Sequence, residues 1–275
     1  MTHSRPVIRD LLTERGLAPR RDLGQNFVAD PNTVRRIAHL ARVGAGDHVV
    51  EIGAGLGSLT LALAETGATI TAVEVDVGLV AVLRDVFAGH PTLTVLEADA
   101  MKADWTALLG ERAVGSVLVA NLPYNVATPL VCDVLDRVPG VARMLVMVQR
   151  EVADRFSASP RTPAYGAVSV KIAYWGTAKI VGLVPASVFV PRPNVESALV
   201  EIIRHEPPTT NPDALFELVR KAFNQRRKML RRSLADVVTP EQFEAAGIAP
   251  TARPEELDVA AWCALTDASN RWEPA

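Results

Sequence analysis

Glu51-Ile52-Gly53-Ala54-Gly55-Leu56-Gly57-Ser58 decides the reading of this chain. The octapeptide takes in the end of a short apolar run, DHVVEI (47–52), and precedes LTLALAE (59–65). A strand, a glycine turn and a helix in that order open an α/β unit, because glycines permit a tight turn and close backbone approach to a ligand. Outward from the turn the rhythm repeats. TITAVEVD (69–76) reads as a strand, with Asp76 placed to cap the helix VGLVAVLRDVF (77–87). LTVLEAD (93–99) and VGSVLVANLP (114–123) are further strands, ATPLVCDVL (127–135) a helix, and ARMLVMVQ (142–149) a strand running into the helix REVADRF (150–156). Strands alternating with helices of about ten residues imply a parallel, doubly wound sheet, since parallel strands need crossover connections.

The flanks are read by the same rules. Residues 7–17 predict a short amphipathic helix, Arg20 to Phe27 a polar loop, and Asp30-Pro31-Asn32-Thr33 a helix start before the stripe Val34, Ile37, Ala38, Ala41. Beyond residue 160, AYGAVSVKIAYW (164–175) predicts a helix, and KIVGLV (179–184) and SALVEIIR (197–204) predict strands. The intervening PASVFVPRPNVE (185–196) carries three prolines and cannot be a central strand. HEPPTTNPD (205–213) marks a boundary, giving a ligand-binding domain over 1–205 and a small helical domain over 206–275. Four helices are expected after it: LFELVRKAF, RRKMLRRSL, PEQFEAAG and LDVAAWCAL.

Composition excludes several classes. Of 275 residues, 49% are hydrophobic and 22% charged, which is ordinary globular composition. A net charge of −2 excludes a uniformly basic nucleic-acid binder but not a local basic patch. Cys132 and Cys263 are too few for a disulfide framework and sit in apolar stretches, and the five histidines are scattered, so no metal is expected. MTHSRPVIRDLLTERG mixes acids and bases among its apolar residues, unlike a secretory signal or transit peptide, and no apolar run nears the roughly 18 residues that cross a bilayer. A cytoplasmic protein with no membrane partner is expected.

The ligand follows from the charges. A dinucleotide fingerprint is G-x-G-x-x-G; here the third glycine comes one residue early and Glu51 directly precedes the turn. A carboxylate facing a pyrophosphate is unfavourable, whereas it suits the sulfonium and ammonium of S-adenosylmethionine. Glu74, at the end of the second strand, can accept hydrogen bonds from both ribose hydroxyls, and Asp99, after the third, can accept from the adenine amine.

The fourth strand ends in Asn121-Leu122-Pro123-Tyr124. An adenine amine is a poor nucleophile because its lone pair is delocalised into the ring. Two acceptors holding its hydrogens localise the pair toward an electrophilic methyl. The Asn121 side-chain oxygen can be one acceptor and the carbonyl of Leu122 or Pro123 the other, with Tyr124 stacked on the base. No strong general base is needed, because the methylated amine is acidic and sheds its proton to water.

Read together, GQNFVAD (24–30), EIGAGLGSLT (51–60), AVEVD (72–76), EADAM (97–101), NLPYNVATPLV (121–131), FVPRPNVESALV (189–200) and FNQRRKML (223–230) resemble the ribosomal RNA adenine dimethyltransferases, most closely their bacterial small-subunit (16S, kasugamycin-resistance) branch. The resemblance implies a Rossmann-like S-adenosylmethionine-dependent fold. It implies cofactor contacts from Asn26, the backbone of Val28 (where the family usually has Leu), Gly53, Glu74, Asp99 and Asn121. It also implies that Phe189 lines the target-base pocket opposite Tyr124. The implied reaction puts two methyls on each of two adjacent adenosines near the 3′ end of 16S rRNA, within a small subunit or its precursor. The flipped-out base enters the pocket.

Residues 220–232 hold seven Lys and Arg and no acid. On one helix, Arg227, Lys228, Arg231 and Arg232 would form an arc beside Phe223, Leu230 and Leu234; with Arg226 they predict a phosphate-tracking surface. Action as a monomer is expected. Two rival readings stay open here: a large-subunit rRNA methyltransferase of the macrolide-resistance type, and a non-catalytic ribosome-assembly or transcription factor on the same fold.

Overall fold

The computed structural model describes residues 2–20, 22–109 and 114–270. Seven strands form the central sheet: β2 (His48–Ile52), β3 (Thr69–Glu74), β4 (Leu93–Glu97), β5 (Ser116–Asn121), β6 (Val141–Gln149), β7 (Gly176–Val184) and β9 (Ser197–Arg204). Their spatial order is β4-β3-β2-β5-β6-β9-β7. The pairs β2/β3, β3/β4, β2/β5 and β5/β6 are parallel and β6/β9 is antiparallel. The order reverses between β2 and β5, and in such sheets the ligand crevice opens at the carboxyl ends of the strands on either side of that switch. The sequence-predicted doubly wound α/β sheet is the observed one.

Most helices of the sheet unit arise where the apolar periodicity placed them, although the short helix at Trp105–Leu109 is not among those predicted from the sequence. Helix α1 (Arg5–Glu14) buries Ile8 and Leu12. Helix α2 (Pro31–Ala41) starts at Asp30, whose side chain accepts from the Thr33 N–H, and buries Val34, Ile37, Ala38 and Ala41. Helices α3 (Ser58–Ala64), α4 (Val77–Val86), α5 (Trp105–Leu109) and α6 (Ala127–Arg137) complete the layers. Asp76 caps α4 as read from sequence, accepting from the N–H groups of Gly78 and Leu79. The core between sheet and helices includes Val49, Ile70, Ala72, Leu83, Val119, Leu145 and Leu199. The polar loop before residue 27 leads into a two-residue strand, β1 (Phe27–Val28). It pairs antiparallel with β8 (Phe189–Val190), placed after a 3-10 turn at Ala186–Val188. The proline-rich segment is thus an edge element outside the main sheet.

Chain contacts divide the molecule into Met1–Ala153 with Lys179–Arg204, and Asp154–Ala178 with His205–Ala275. The last junction falls between Arg204 and His205. Residues 154–178, assigned from sequence to the first domain, pack with the C-terminal helices instead. The reason is apolar: Tyr165, Val170 and Tyr174 are buried against Leu215, Val219, Leu230, Phe243 and Trp262. Within this second unit are α7 (Arg150–Phe156, from residue 154), α8 (Ala167–Trp175), α9 (Pro212–Phe223), α10 (Leu230–Ser233), α11 (Pro240–Ala245) and α12 (Val259–Asn270). The helix expected over RRKMLRRSL is a further correction. Residues 224–227 are turns, Lys228 is a bend, and only Leu230–Ser233 is helical. The backbone is diverted by bonds to another segment, Leu230 N–H to Ala252 O (2.8 Å) and Arg231 N–H to Pro250 O (3.0 Å).

Candidate active site

A cleft of about 260 Å³ opens at the carboxyl ends of β2, β3 and β5 and takes lining from the loop after β4. It is lined by Asn26, Val28, Glu51, Gly53, Glu74, Asp99, Asn121, Leu122, Pro123 and Tyr124. Every cofactor-binding position named from the sequence therefore meets in one place.

The glycine turn is held by backbone geometry. Gly53 N–H donates to Val73 O (2.8 Å). Gly55 has φ +60°, and a Cβ there would lie 3.1 Å from Cε1 of Phe27, so the segment before α2 closes directly over the turn. Gly57 has φ +84°, and a Cβ there would approach Phe87 Cε2 to 2.9 Å.

Two buried carboxyls flank the turn and behave differently. Glu51 is 1% exposed, and its Oε2 has no hydrogen-bond partner among the described residues. Burial lifts its carboxyl to about 8; the Thr60 hydroxyl opposes the rise and the Glu74 charge adds to it. An orphaned carboxyl oxygen in the wall of a cleft fits a ligand with cationic groups. Glu74 is buried but well supplied: Oε2 accepts from Gly55 N–H (2.8 Å), and Oε1 from Val75 (2.9 Å) and Asp76 (3.0 Å). Burial raises its carboxyl and these three bonds oppose the rise. A carboxylate offers about four lone-pair sites, so roughly one is left for a ligand. Acceptance from both ribose hydroxyls, the expectation from sequence, exceeds what Glu74 has free in this arrangement. Asp99 accepts from Met101 N–H (3.0 Å) and pairs with Lys102 (3.3 Å).

The Asn121–Tyr124 turn is fixed at each step. Leu122 N–H donates to Met147 O (3.1 Å), continuing the β5/β6 ladder. The Pro123 carbonyl accepts from Val126 (3.1 Å) and Ala127 (3.0 Å) at the entry to α6. Pro123 O is therefore already used, and of the two carbonyls considered from sequence the Leu122 carbonyl is the one outside these bonds. The Asn121 Nδ2 donates to the backbone carbonyl of Asn26 (2.9 Å). A carbonyl can only accept, so this bond turns Nδ2 toward Asn26 and leaves Oδ1 as the amide's open acceptor. Asn26 in turn donates its own Nδ2 to Gly24 O (3.0 Å). The Tyr124 hydroxyl lies 2.8 Å from Ser197 Oγ.

Phe189 is not part of this cleft. It is 0% exposed and packs in the sheet's core cluster, while its backbone pairs with Val28. The two-sided aromatic pocket implied for Phe189 and Tyr124 is not the arrangement in this structure; the apolar Phe189 ring is fully buried in the core instead. Sequence reading also missed the ties of the N-terminal segment: Gln25 Nε2 to Asp76 Oδ2 (3.2 Å), Arg20 N–H to Gln25 Oε1 (2.8 Å) and His3 Nε2 with Leu56 O (2.9 Å). Polar side chains in a loop carry no periodic signal that would have found them.

The basic segment sorts into two groups. Arg226 pairs with Glu255 (2.6 Å) and donates to Pro163 O (2.9 Å), and Lys221 pairs with Asp236. Arg220, Arg227, Lys228, Arg231 and Arg232 are exposed and make no ion pair among the described residues. Also among the described residues, no group of three metal-ligating side chains occurs, and no helix is long and apolar enough to cross a membrane.

The chain is 45% identical over 280 residues to ribosomal RNA small subunit methyltransferase A of Bifidobacterium longum subsp. infantis, covering 95% of this chain and 91% of the relative. It is 48% identical over 271 residues to the protein of that name from Leifsonia xyli subsp. xyli, covering 92% and 93%. Among solved structures, a dimethyladenosine transferase from Plasmodium falciparum superposes with a TM-score of 0.73 at 24% identity, covering 86% of this chain and 94% of that one. The 23S rRNA methyltransferase ErmE superposes with a TM-score of 0.67 at 25% identity, covering 89% and 100%. A family profile described as ribosomal RNA adenine dimethylase matches residues 16–270, and with it the chain belongs to the ribosomal RNA adenine dimethylase family.

Proposed function

We propose that the protein transfers methyl groups from S-adenosylmethionine to the exocyclic amines of two adjacent adenosines near the 3′ end of 16S rRNA, within a small ribosomal subunit or its precursor. The observation that carries this reading is the Asn121 amide, held through Nδ2 so that Oδ1 is its open acceptor beside the Leu122 carbonyl. When bound, S-adenosylmethionine supplies an electrophilic methyl on a sulfonium. Asn121 Oδ1 and Leu122 O accept the two hydrogens of the target amine and aim its lone pair. Both are set before the reaction, so no reorganisation accompanies the developing positive charge. Tyr124 stacks on the base, which a contact of about 1–3 kcal/mol per base can hold. After one transfer the amine still has a hydrogen and a lone pair, which permits the second.

Glu74 takes one ribose hydroxyl with its remaining lone pair, Asp99 faces the adenine amine, and Glu51 faces the cationic end of the cofactor. Asn26, the Val28 backbone and Gly53 close the cofactor side. Arg227, Lys228, Arg231 and Arg232 track phosphates; Arg226, engaged with Glu255, shapes the segment that carries them. Action as a monomer is part of this reading, and the chemistry of the site asks for no metal. A cytoplasmic site of action follows from the ribosomal substrate.

The test is to incubate the protein with labelled cofactor and with small and large ribosomal particles lacking the modification, then map the label. Dimethylation of two adjacent adenosines in small-subunit rRNA is expected. Label in the large subunit alone would replace the substrate, and tight binding without label in either would return the protein to a non-catalytic role.

A further inference from the structure

We propose that Ser197 is a positioning residue for methyl transfer: its buried hydroxyl tethers the Tyr124 ring in the plane that receives the target base. The inference rests on the reading of the Asn121–Tyr124 turn as the methyl-transfer site. Ser197 is the first residue of β9, opposite Gln149 of β6, and is 0% exposed. Its successors Ala198, Leu199 and Val200 are equally buried and apolar. A hydroxyl in such surroundings is costly unless hydrogen-bonded, and alanine would fill most of the same space. The partner that Ser197 Oγ finds is the Tyr124 hydroxyl at 2.8 Å.

The backbone of the turn is already pinned by Leu122 N–H on Met147 O and by the two amides on Pro123 O. What those bonds leave loose is the ring itself, because the terminal torsion of a tyrosine is broad. A bond to the phenolic oxygen fixes the far end of the ring, and because conjugation keeps the phenolic O–H in the plane of the ring, a fixed partner for that hydroxyl also favours one ring plane. Stacking depends on the ring's plane, and a base brought in from its helix must meet it ready-made, since any reorientation would add to the barrier. The tether also takes the hydroxyl out of the chemistry. Burial raises the Tyr124 phenol above its ordinary value, with the Ser197 bond opposing, so the group stays protonated and serves as a ring rather than as a base.

The test uses four variants of the full chain: Ser197→Ala, Tyr124→Phe, the double variant and Tyr124→Ala. The readouts are the single-turnover rate on unmodified small subunits, cofactor affinity by calorimetry, and Tm. Ser197→Ala and Tyr124→Phe should each slow transfer by about three- to tenfold, as loss of one neutral hydrogen bond does. The double variant should be no slower than either, with cofactor affinity unchanged. A residue that only fills space would not show this coupling to the phenolic oxygen. Additive losses, or a wild-type rate for Tyr124→Phe or Ser197→Ala, overturn the tether. Tyr124→Phe removes the same bond from the other side, so the proposal stays testable if Ser197→Ala does not fold. Tyr124→Ala separates the two levels. If it is slow while Ser197→Ala is normal, only the tether fails; if it turns over normally, the stacking reading fails as well.

Discussion

The strand-end cleft and the basic segment of the C-terminal unit are both rich in polar residues, yet they are built on opposite principles. In the cleft the polar side chains are fixed in place by partners, and the acceptors left open are held by the atoms that are not open. Glu74 holds three backbone N–H groups, Asn121 is locked to Asn26, and Tyr124 is joined to Ser197. In the basic segment five cations, Arg220, Arg227, Lys228, Arg231 and Arg232, are exposed and make no ion pair among the described residues, while their neighbours Arg226 and Lys221 are spent on structure. Placing a lone pair within a fraction of an ångström needs fixed groups, whereas neutralising a phosphate backbone needs point charges that can adapt. Loss of one fixed group should thus damage rate, and loss of one adaptable charge should damage affinity and its salt dependence.

Asn121→Ala gives the largest expected break. Removal of one preorganised hydrogen-bonding group from a reacting centre costs about 10²–10³ in rate. Single-turnover methyl transfer at saturating cofactor should fall by that much while affinity for the small subunit holds. A comparable fall in particle binding would erase the contrast between the two regions.

Glu74 comes next, and the structure alters which variant is informative. A charge-assisted hydrogen bond is worth about 1.5–3 kcal/mol, so its loss should weaken S-adenosylmethionine binding roughly ten- to a hundredfold by calorimetry. Glu74→Ala would also orphan the N–H groups of Gly55, Val75 and Asp76, and its Tm should drop. Glu74→Gln keeps part of that support and separates ligand binding from integrity of the turn.

For the basic segment, Arg227→Gln with Lys228→Gln should weaken rRNA or subunit binding and flatten its log–log salt slope by about one to two units. Cofactor affinity should not change. Arg226→Gln sharpens the comparison from inside the segment: with its ion pair to Glu255 and its bond to Pro163 gone, Tm should fall by a few degrees, at about 1 kcal/mol lost, with little change in salt slope. Equal salt slopes for wild type and the Arg227/Lys228 variant would move the RNA surface elsewhere.

The last prediction concerns Glu51 and is read as a pH dependence. Its carboxyl sits at about 8 in the fold against 4.5 for the free group. Between those values the folded state binds more protons than the unfolded one, so this group's contribution to stability is present below about pH 4.5 and declines as pH rises toward 8. Relative to Glu51→Gln, the wild type should lose stability over that window in denaturation series at fixed ionic strength. Cofactor affinity should move the other way, rising with pH as the carboxylate forms. A pH-independent difference between the two proteins would mean that Glu51 ionises normally.

Much of the first unit was legible because its information is local. Alternating apolar strands and helices, Asp30 and Asp76 as caps, and glycines where φ is positive are each a property of a few adjacent residues. Residue type also marked the acids at successive strand ends and the Asn-Leu-Pro-Tyr turn, because their chemistry is specific. Tertiary structure decided the rest. The basic stretch had the composition of a helix, yet Ala252 and Pro250 take the N–H groups of Leu230 and Arg231, and the helix shrinks to one turn. Phe189 went to the core, Pro123 O into the start of α6, and residues 154–178 to the C-terminal unit, each for burial or a backbone partner far away in sequence. Ser197 looked like any strand-opening serine until β9 was laid beside β6 and its hydroxyl met Tyr124. A sequence sets which conformations and chemistries each residue can adopt; which hydrogen-bonding group is left free, and which ring is held, depends on partners that only the packed chain brings within 3 Å.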